Sequence, residues 1–244
     1  MLVAEIGLNH KGSKTLLTKY VNFLLKSKID AITFQIQPDQ YISSLGFKNI
    51  DLKYLKDCIQ IIKKSNKKIG IAISDISKIE YFDQCKVDFW KILSKDFYNK
   101  NLINKLVKTK RKIYLSTGFS SIKEIKKIDK KYNLYFIHTA LSNDIKDTNL
   151  MAIKNINQET RNNVSFGLHC SNHNVLYPSI SFKLESIFFY VKINSLANYP
   201  DDKHAILLKN VNETVEKIDE IKKSLGNGKK LKIIFKNNVT GKIK

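Results

Sequence analysis

Residues Ile69–Ser116 read IGIAISDISKIEYFDQCKVDFWKILSKDFYNKNLINKLVKTKRKIYLS. Three short apolar runs lie in this stretch, Ile69–Ser74, Val87–Leu93 and Lys112–Ser116. Each has strand length and is rich in Ile, Phe and Trp, which suit a pleated surface. Between them, Lys78–Gln84 and Lys100–Thr109 carry apolar residues at helical spacing. Strands that are apolar throughout and alternate with helices predict a parallel sheet whose outer face the helices cover.

The alternation extends in both directions. Upstream, Leu2–Ile6 and Asp30–Ile36 read as strands, and Lys14–Lys26 and Leu52–Lys64 as helices, the second opened by Asp51 as a cap. Downstream, strands are expected at Leu134–His138, Val164–Leu168 and Ser186–Ile193. Helices are expected at Ser121–Asp129 (capped by Ser120 or Ser121), near Asp147–Ile156, at Val175–Leu184 and at Leu207–Leu225. Eight strand–helix units in 244 residues predict the α/β class and a closed (β/α)8 TIM barrel. A doubly wound dinucleotide fold would need a Gly-rich turn after the first strand, and Gly7 and Gly12 do not make one. The expected organisation is a barrel over residues 1–230, then a basic tail, Leu231–Lys244, after the turn Gly226-Asn227-Gly228.

Composition narrows the function classes. No apolar run is long enough for a membrane span. The opening MLVAEIGLNH has no basic region before its apolar stretch, so no signal peptide is expected. Cys58, Cys85 and Cys170 are scattered and odd in number, which suggests reduced thiols in the cytoplasm. The net charge is +21, yet Arg111 and Arg161 are the only arginines among 43 basic residues. Lysines spread over nearly every helix predict a solvated basic surface with no nucleic-acid partner, one able to draw small anions toward a cleft.

A barrel places its active site at the carboxyl ends of the strands. Glu5 and Lys91 stand out there, because each interrupts an apolar run and a buried charge must be paired or functional. A Glu bonded to a lysine at the barrel bottom and a lysine snorkelling to solvent are the plain alternatives. Ser74, Ser94 and Ser116 end three successive strands. With Lys91 among them they suit a phosphate or carboxylate cradle, or they merely cap helices.

These residues belong to longer motifs. Ala4-Glu5-Ile6-Gly7-Leu8-Asn9-His10-Lys11-Gly12-Ser13 resembles the opening of the sialic acid synthase family. Asp30-Ala31-Ile32-Thr33-Phe34-Gln35 is similar to its second-strand motif, and Ser116-Thr117-Gly118-Phe119 to its Ser-Thr-Gly-Met signature. Leu225-Gly226-Asn227-Gly228 resembles the end of its barrel. The resemblance implies an enzyme of carbohydrate biosynthesis, a transferase. It would condense phosphoenolpyruvate with an N-acetylated amino sugar to give a nonulosonic acid, with a divalent metal (Mn or Mg) polarising the sugar aldehyde. By position, Glu5 lies near the sugar and Asp96 assists the chemistry. Ser74, Lys91, Ser94 and Ser116 bind phosphoenolpyruvate, and Asp201 holds the sugar.

The chain departs from the pattern in several places. Thr33 replaces a lysine, and His138-Thr139-Ala140-Leu141 lacks the Tyr-Pro pair that follows in the family. Ser171 and Lys192 fall where the family carries its two metal histidines, which leaves His169 and His173 as flanking ligand candidates, His173 foremost. Lys192 is then the candidate to replace the metal at the aldehyde oxygen. The family's antifreeze-like domain is expected to be absent, which leaves open both a homodimer and a domain supplied by another chain. Two other readings stand beside the enzyme: a non-catalytic barrel that binds a sugar or phosphometabolite, or pairs with an active paralogue, and an aldolase using a Schiff base on Lys91 or Lys192.

Overall fold

Strands and helices alternate from the first residues onward in the computed structural model, which describes residues 1–196 and 198–230. The tail expected from Leu231 lies outside the described residues. In chain order the elements begin β1 (Leu2–Gly7), α1 (Lys14–Lys26), β2 (Ala31–Ile36), α2 (Asp39–Ser44), α3 (Leu52–Lys64) and β3 (Lys68–Ile73). They continue with α4 (Ile79–Gln84), β4 (Phe89–Ile92), α5 (Lys100–Lys108), β5 (Lys112–Ser116), α6 (Ile122–Lys131) and β6 (Tyr135–His138). The last are α7 (Met151–Glu159), β7 (Ser165–Gly167), α8 (Leu176–Ser179), β8 (Ile187–Lys192), β9 (Ile206–Leu207) and α9 (Val211–Leu225).

Strands β1 to β8 pair in sequence order, all parallel, and β1 also pairs with β8, so the sheet closes on itself. This is the expected (β/α)8 barrel. The helices pack by apolar stripes: α3 buries Leu55, Cys58, Ile59 and Ile62, and α5 buries Leu102, Ile103 and Leu106. Asp51 caps α3 as expected, accepting from the Tyr54 N–H at 2.8 Å. Ser121, not Ser120, opens α6, and its N–H and hydroxyl both donate to Glu124.

Two expectations about element bounds need correction. The helix expected at Val175–Leu184 is broken into α8 between two 3-10 turns, His173–Val175 and Ile180–Phe182. Pro178 lacks the N–H that a continuous helix needs. The helix expected from Leu207 begins at Val211, because Ile206–Leu207 pairs beside β8 as the short strand β9. Neither β9 nor α2 is signalled in the sequence.

Side chains on a strand alternate between the barrel interior and the helix layer. Val3, Ala31, Phe89, Tyr114, Ile137 and Phe188 form one buried cluster inside the barrel, separate from the main core between strands and helices. Tyr114 packs edge-on to Phe188, with ring centroids 5.1 Å apart. Two residues farther along the same strands come Glu5, Thr33, Lys91, Ser116, Thr139 and Tyr190, all buried. An apolar plug therefore lies directly beneath a polar layer.

Candidate functional site

Glu5 and Lys91 meet inside that polar layer. The Lys91 Nζ donates to both Glu5 carboxylate oxygens, at 2.5 and 2.7 Å, and both side chains are under 5% exposed. Of the plain alternatives, the bond of Glu5 to a lysine is present, and the rest is corrected. Lys91 does not reach solvent, and the pair stands above the aromatic plug, not at the barrel bottom. The Lys91 ammonium also lies 5.3 Å from the Phe188 ring centroid and 5.5 Å from that of Tyr190. Desolvating two charges is expensive, and such a pair is weak support for stability, which favours a functional reason for keeping it.

Asp201 adjoins the pair from the segment after β8. Its carboxyl is pushed up to about 7, first by burial and then by the Glu5 charge, against the opposing pull of Lys91 and of the Leu8 N–H. The Tyr190 phenol is held well above its usual range by burial and by the Glu5 and Asp201 charges. Asn9 ties this corner together: its side chain donates to the Val191 carbonyl at 2.9 Å and accepts from the Asp201 N–H at 3.1 Å. Gly7 makes the approach possible. It adopts φ +56°, and a Cβ there would stand 2.6 Å from the Tyr190 ring and 2.8 Å from Asp201 Oδ2.

The serines divide. Ser74 donates to Asp96 at 2.5 Å, so two of the expected site residues are bonded to each other. Ser94 accepts from the Gly118 N–H at 3.1 Å, which joins the β4 and β5 ends, and Ser116 is buried at the end of β5. Lys95, not foreseen, reaches from the turn after β4 to Gln37 at 2.7 Å.

Three histidines gather at the β7 and β8 ends. The His169 ring centroid lies 4.5 Å from that of His204 and 5.6 Å from that of Tyr190. His204 Nε2 is 3.8 Å from Asp201 Oδ1. Burial lowers all three, His204 to about 4, with Lys91 or Lys192 reinforcing the shift in each case. His173 Nε2 and His204 Nε2 are buried without a hydrogen-bond partner among the described residues. Lys192, at the end of β8, donates to the Asp202 carbonyl at 2.7 Å and to Asp202 Oδ1 at 2.9 Å. Among the described residues, no group of three or more His, Cys, Asp or Glu is placed to hold a metal ion.

A cleft of about 430 Å³ opens on the same face, between the β1 and β2 ends and α2 and α3. Leu8, His10, Gln35, Gln37 and Asn49 line it. His10 is lowered to about 4 by burial, and its Nδ1 accepts from the Gly12 N–H at 3.0 Å, so the neutral ring keeps its proton on Nε2.

Sequence reasoning missed Tyr190, which reads as one more core aromatic in IFFYVK. Its phase was the available signal, since it stands two residues beyond the inward Phe188.

Comparison with known proteins bears on this site. The sequence profile described as the NeuB family matches residues 23–230. The chain is 22% identical to N,N'-diacetyllegionaminic acid synthase of Campylobacter jejuni, over 93% of this chain and 78% of that protein. It is 27% identical to an uncharacterized protein of Methanocaldococcus jannaschii, over 94% and 73% of the two lengths. The N-acetylneuraminic acid (sialic acid) synthetase of Leptospira borgpetersenii, solved with citrate, superposes with a TM-score of 0.84 at 21% identity, covering 93% of this chain and 85% of that one. No helix among the described residues is long and apolar enough to cross a membrane.

Proposed function

Because the chain belongs to the NeuB family, we propose that it condenses phosphoenolpyruvate with the open-chain aldehyde of an N-acetylated amino sugar to form a nonulosonic acid. The observation that carries this reading is the buried Lys91–Glu5 pair, set above an aromatic plug at the catalytic face of the barrel.

In the reaction, C3 of phosphoenolpyruvate bonds to the aldehyde carbon, and the carbonyl electron pair moves to the aldehyde oxygen. Water adds to C2, one of its protons passes to that oxygen, and phosphate leaves as the C2 ketone forms. Lys91 turns from Glu5 to the anionic substrate, and the released Glu5 carboxylate accepts hydrogen bonds from the sugar in place of the ammonium. Ser94 and Ser116 complete the phosphate cradle at the β4 and β5 ends, and the Ser74–Asp96 pair stands at its edge. The amino sugar lies beside Asp201, whose carboxyl accepts from the Leu8 N–H. Glu5 and Asp201 receive its hydroxyls.

Phosphate release tests the proposal. Purified chain is incubated with phosphoenolpyruvate and either N-acetylmannosamine or a diacetylated amino sugar. Release that depends on the sugar is expected. Folded protein that releases none with either sugar would favour a non-catalytic barrel, with Lys91 permanently neutralised by Glu5. Borohydride trapping of a lysine adduct would instead point to Schiff-base chemistry.

A further inference from the structure

His173 and His204 lie on the segments that follow β7 and β8, and neither falls where the family carries a metal histidine. Each has its Nε2 buried with no hydrogen-bond partner among the described residues. The two segments meet here. His173 hydrogen-bonds the His204 backbone carbonyl, and the two side chains lie within electrostatic reach of each other. His204 stacks against His169, with ring centroids 4.5 Å apart, and its Nε2 stands 3.8 Å from Asp201 Oδ1.

A buried polar atom without a partner has given up water for nothing, so two in one corner point to something that both would bind. An imidazole that donates to a carbonyl through one nitrogen presents the lone pair of the other, as metal-bound histidines do. A lone pair takes a cation or a proton donor and repels a phosphate. The spacing agrees: two ligands of a tetrahedral ion, each at about 2.0–2.1 Å, lie about 3.4 Å apart. The opposing influence is the positive charge of Lys91 and Lys192, which acts on His204. Neither ammonium is bare, since Glu5 matches the first and Asp202 the second.

We propose that His173 Nε2 and His204 Nε2 hold a divalent transition-metal ion, with Asp201 Oδ1 as the third ligand and a fourth position open. Three donors do not converge among the described residues as they stand, and a small turn of the Asp201 carboxyl brings in the third. Two imidazoles and one carboxylate suit Zn²⁺ or Co²⁺ over Mg²⁺, which takes oxygen ligands and keeps its waters. When bound, such an ion supplies a Lewis acid for the sugar carbonyl beside Asp201. That use rests on the condensation proposed above, whereas binding itself does not.

The test is ion binding by the full chain. Wild type, His173→Ala, His204→Ala and Cys85→Ser are stripped with EDTA and desalted, the last as a control for adventitious thiol binding. Each is titrated with Zn²⁺ by calorimetry and with Co²⁺ by visible absorption. Wild type and Cys85→Ser are expected to bind about one ion per chain, with the intense absorption of four-coordinate Co²⁺. Each histidine variant should bind at least about tenfold more weakly. Folded wild type that binds no Zn²⁺ overturns the proposal, and so does binding that both histidine variants retain. Should His204→Ala fail to melt cooperatively, His173→Ala, on the half-buried turn His173–Val175, decides alone. Displacement of Zn²⁺ by an equal concentration of Mg²⁺ overturns the two-nitrogen donor set. A full ion count without phosphate release from any sugar sinks the condensation and leaves the cation site standing.

Discussion

Two neighbouring layers of the barrel interior behave in opposite ways. The lower one, Val3, Ala31, Phe89, Tyr114, Ile137 and Phe188, is apolar but for one phenol and packed edge to face. The upper one, two residues on along the same strands, holds Glu5, Thr33, Lys91, Ser116 and Tyr190, with Lys192 next above Tyr190 on β8. Both are buried, yet the first gains by leaving water and the second loses. The barrel keeps its costly groups in one layer and rests them on a rigid aromatic floor. A site built this way is oriented by packing below it and stays adjustable above.

The largest expected effect comes from halving the ion pair. Lys91→Met leaves Glu5 buried and uncompensated and should cost about 3–5 kcal/mol. Adding Glu5→Gln should recover most of that loss in a denaturant titration while leaving phosphate release abolished. If the double variant stays as unstable as the single one, the upper layer holds the fold together and the contrast between layers fails.

Phe188→Ala probes the floor and should cost about 3–5 kcal/mol through the cavity it leaves. Unlike Lys91→Met, it has no partner substitution that rescues it. Urea melts of both series, compared side by side, separate packing from charge.

Gly7→Ala is expected to cost about 1–3 kcal/mol, since it meets both a left-handed backbone and the Tyr190 and Asp201 contacts. It should raise the sugar KM more than it lowers kcat, because Asp201 is displaced from the sugar side. Equal loss in both would sever Asp201 from sugar binding.

A further effect is a pH slope. Asp201 has its folded pKa raised from 3.8 to about 7, so the folded state binds more protons than the unfolded one between those values. Its contribution is full below about pH 4 and is lost as pH rises to about 7. His204, lowered from 6.5 to about 4, acts in the opposite sense: its contribution is present above about 6.5 and is lost as pH falls. Wild type minus Asp201→Asn stability should therefore decline from pH 4 to 7 and then level off. A flat difference across that range in thermal melts would place Asp201 in contact with water, in the manner of an ordinary surface carboxylate.

Glu5 and Lys91 were legible as buried charges because each breaks an apolar run, but nothing local says that they face each other 86 residues apart. Ser74 and Asp96 were both legible as strand-end residues, and their mutual bond was not. Tyr190 was hidden because an aromatic inside IFFYVK satisfies the core pattern whichever way it points. The histidines were visible singly. Their stacking beside Asp201 depends on two chain segments, after β7 and after β8, that meet only in the closed barrel.

The sequence by itself determined the strand–helix alternation and the closed parallel barrel. Apolar period and length are local properties, and barrel geometry follows from repeating them eight times. Only the tertiary structure decided which charges pair. Lys91 found Glu5 across the interior and Lys192 found Asp202 at the rim, because a buried ion is stabilised only by a partner within a few ångströms, and closure of the barrel sets those distances.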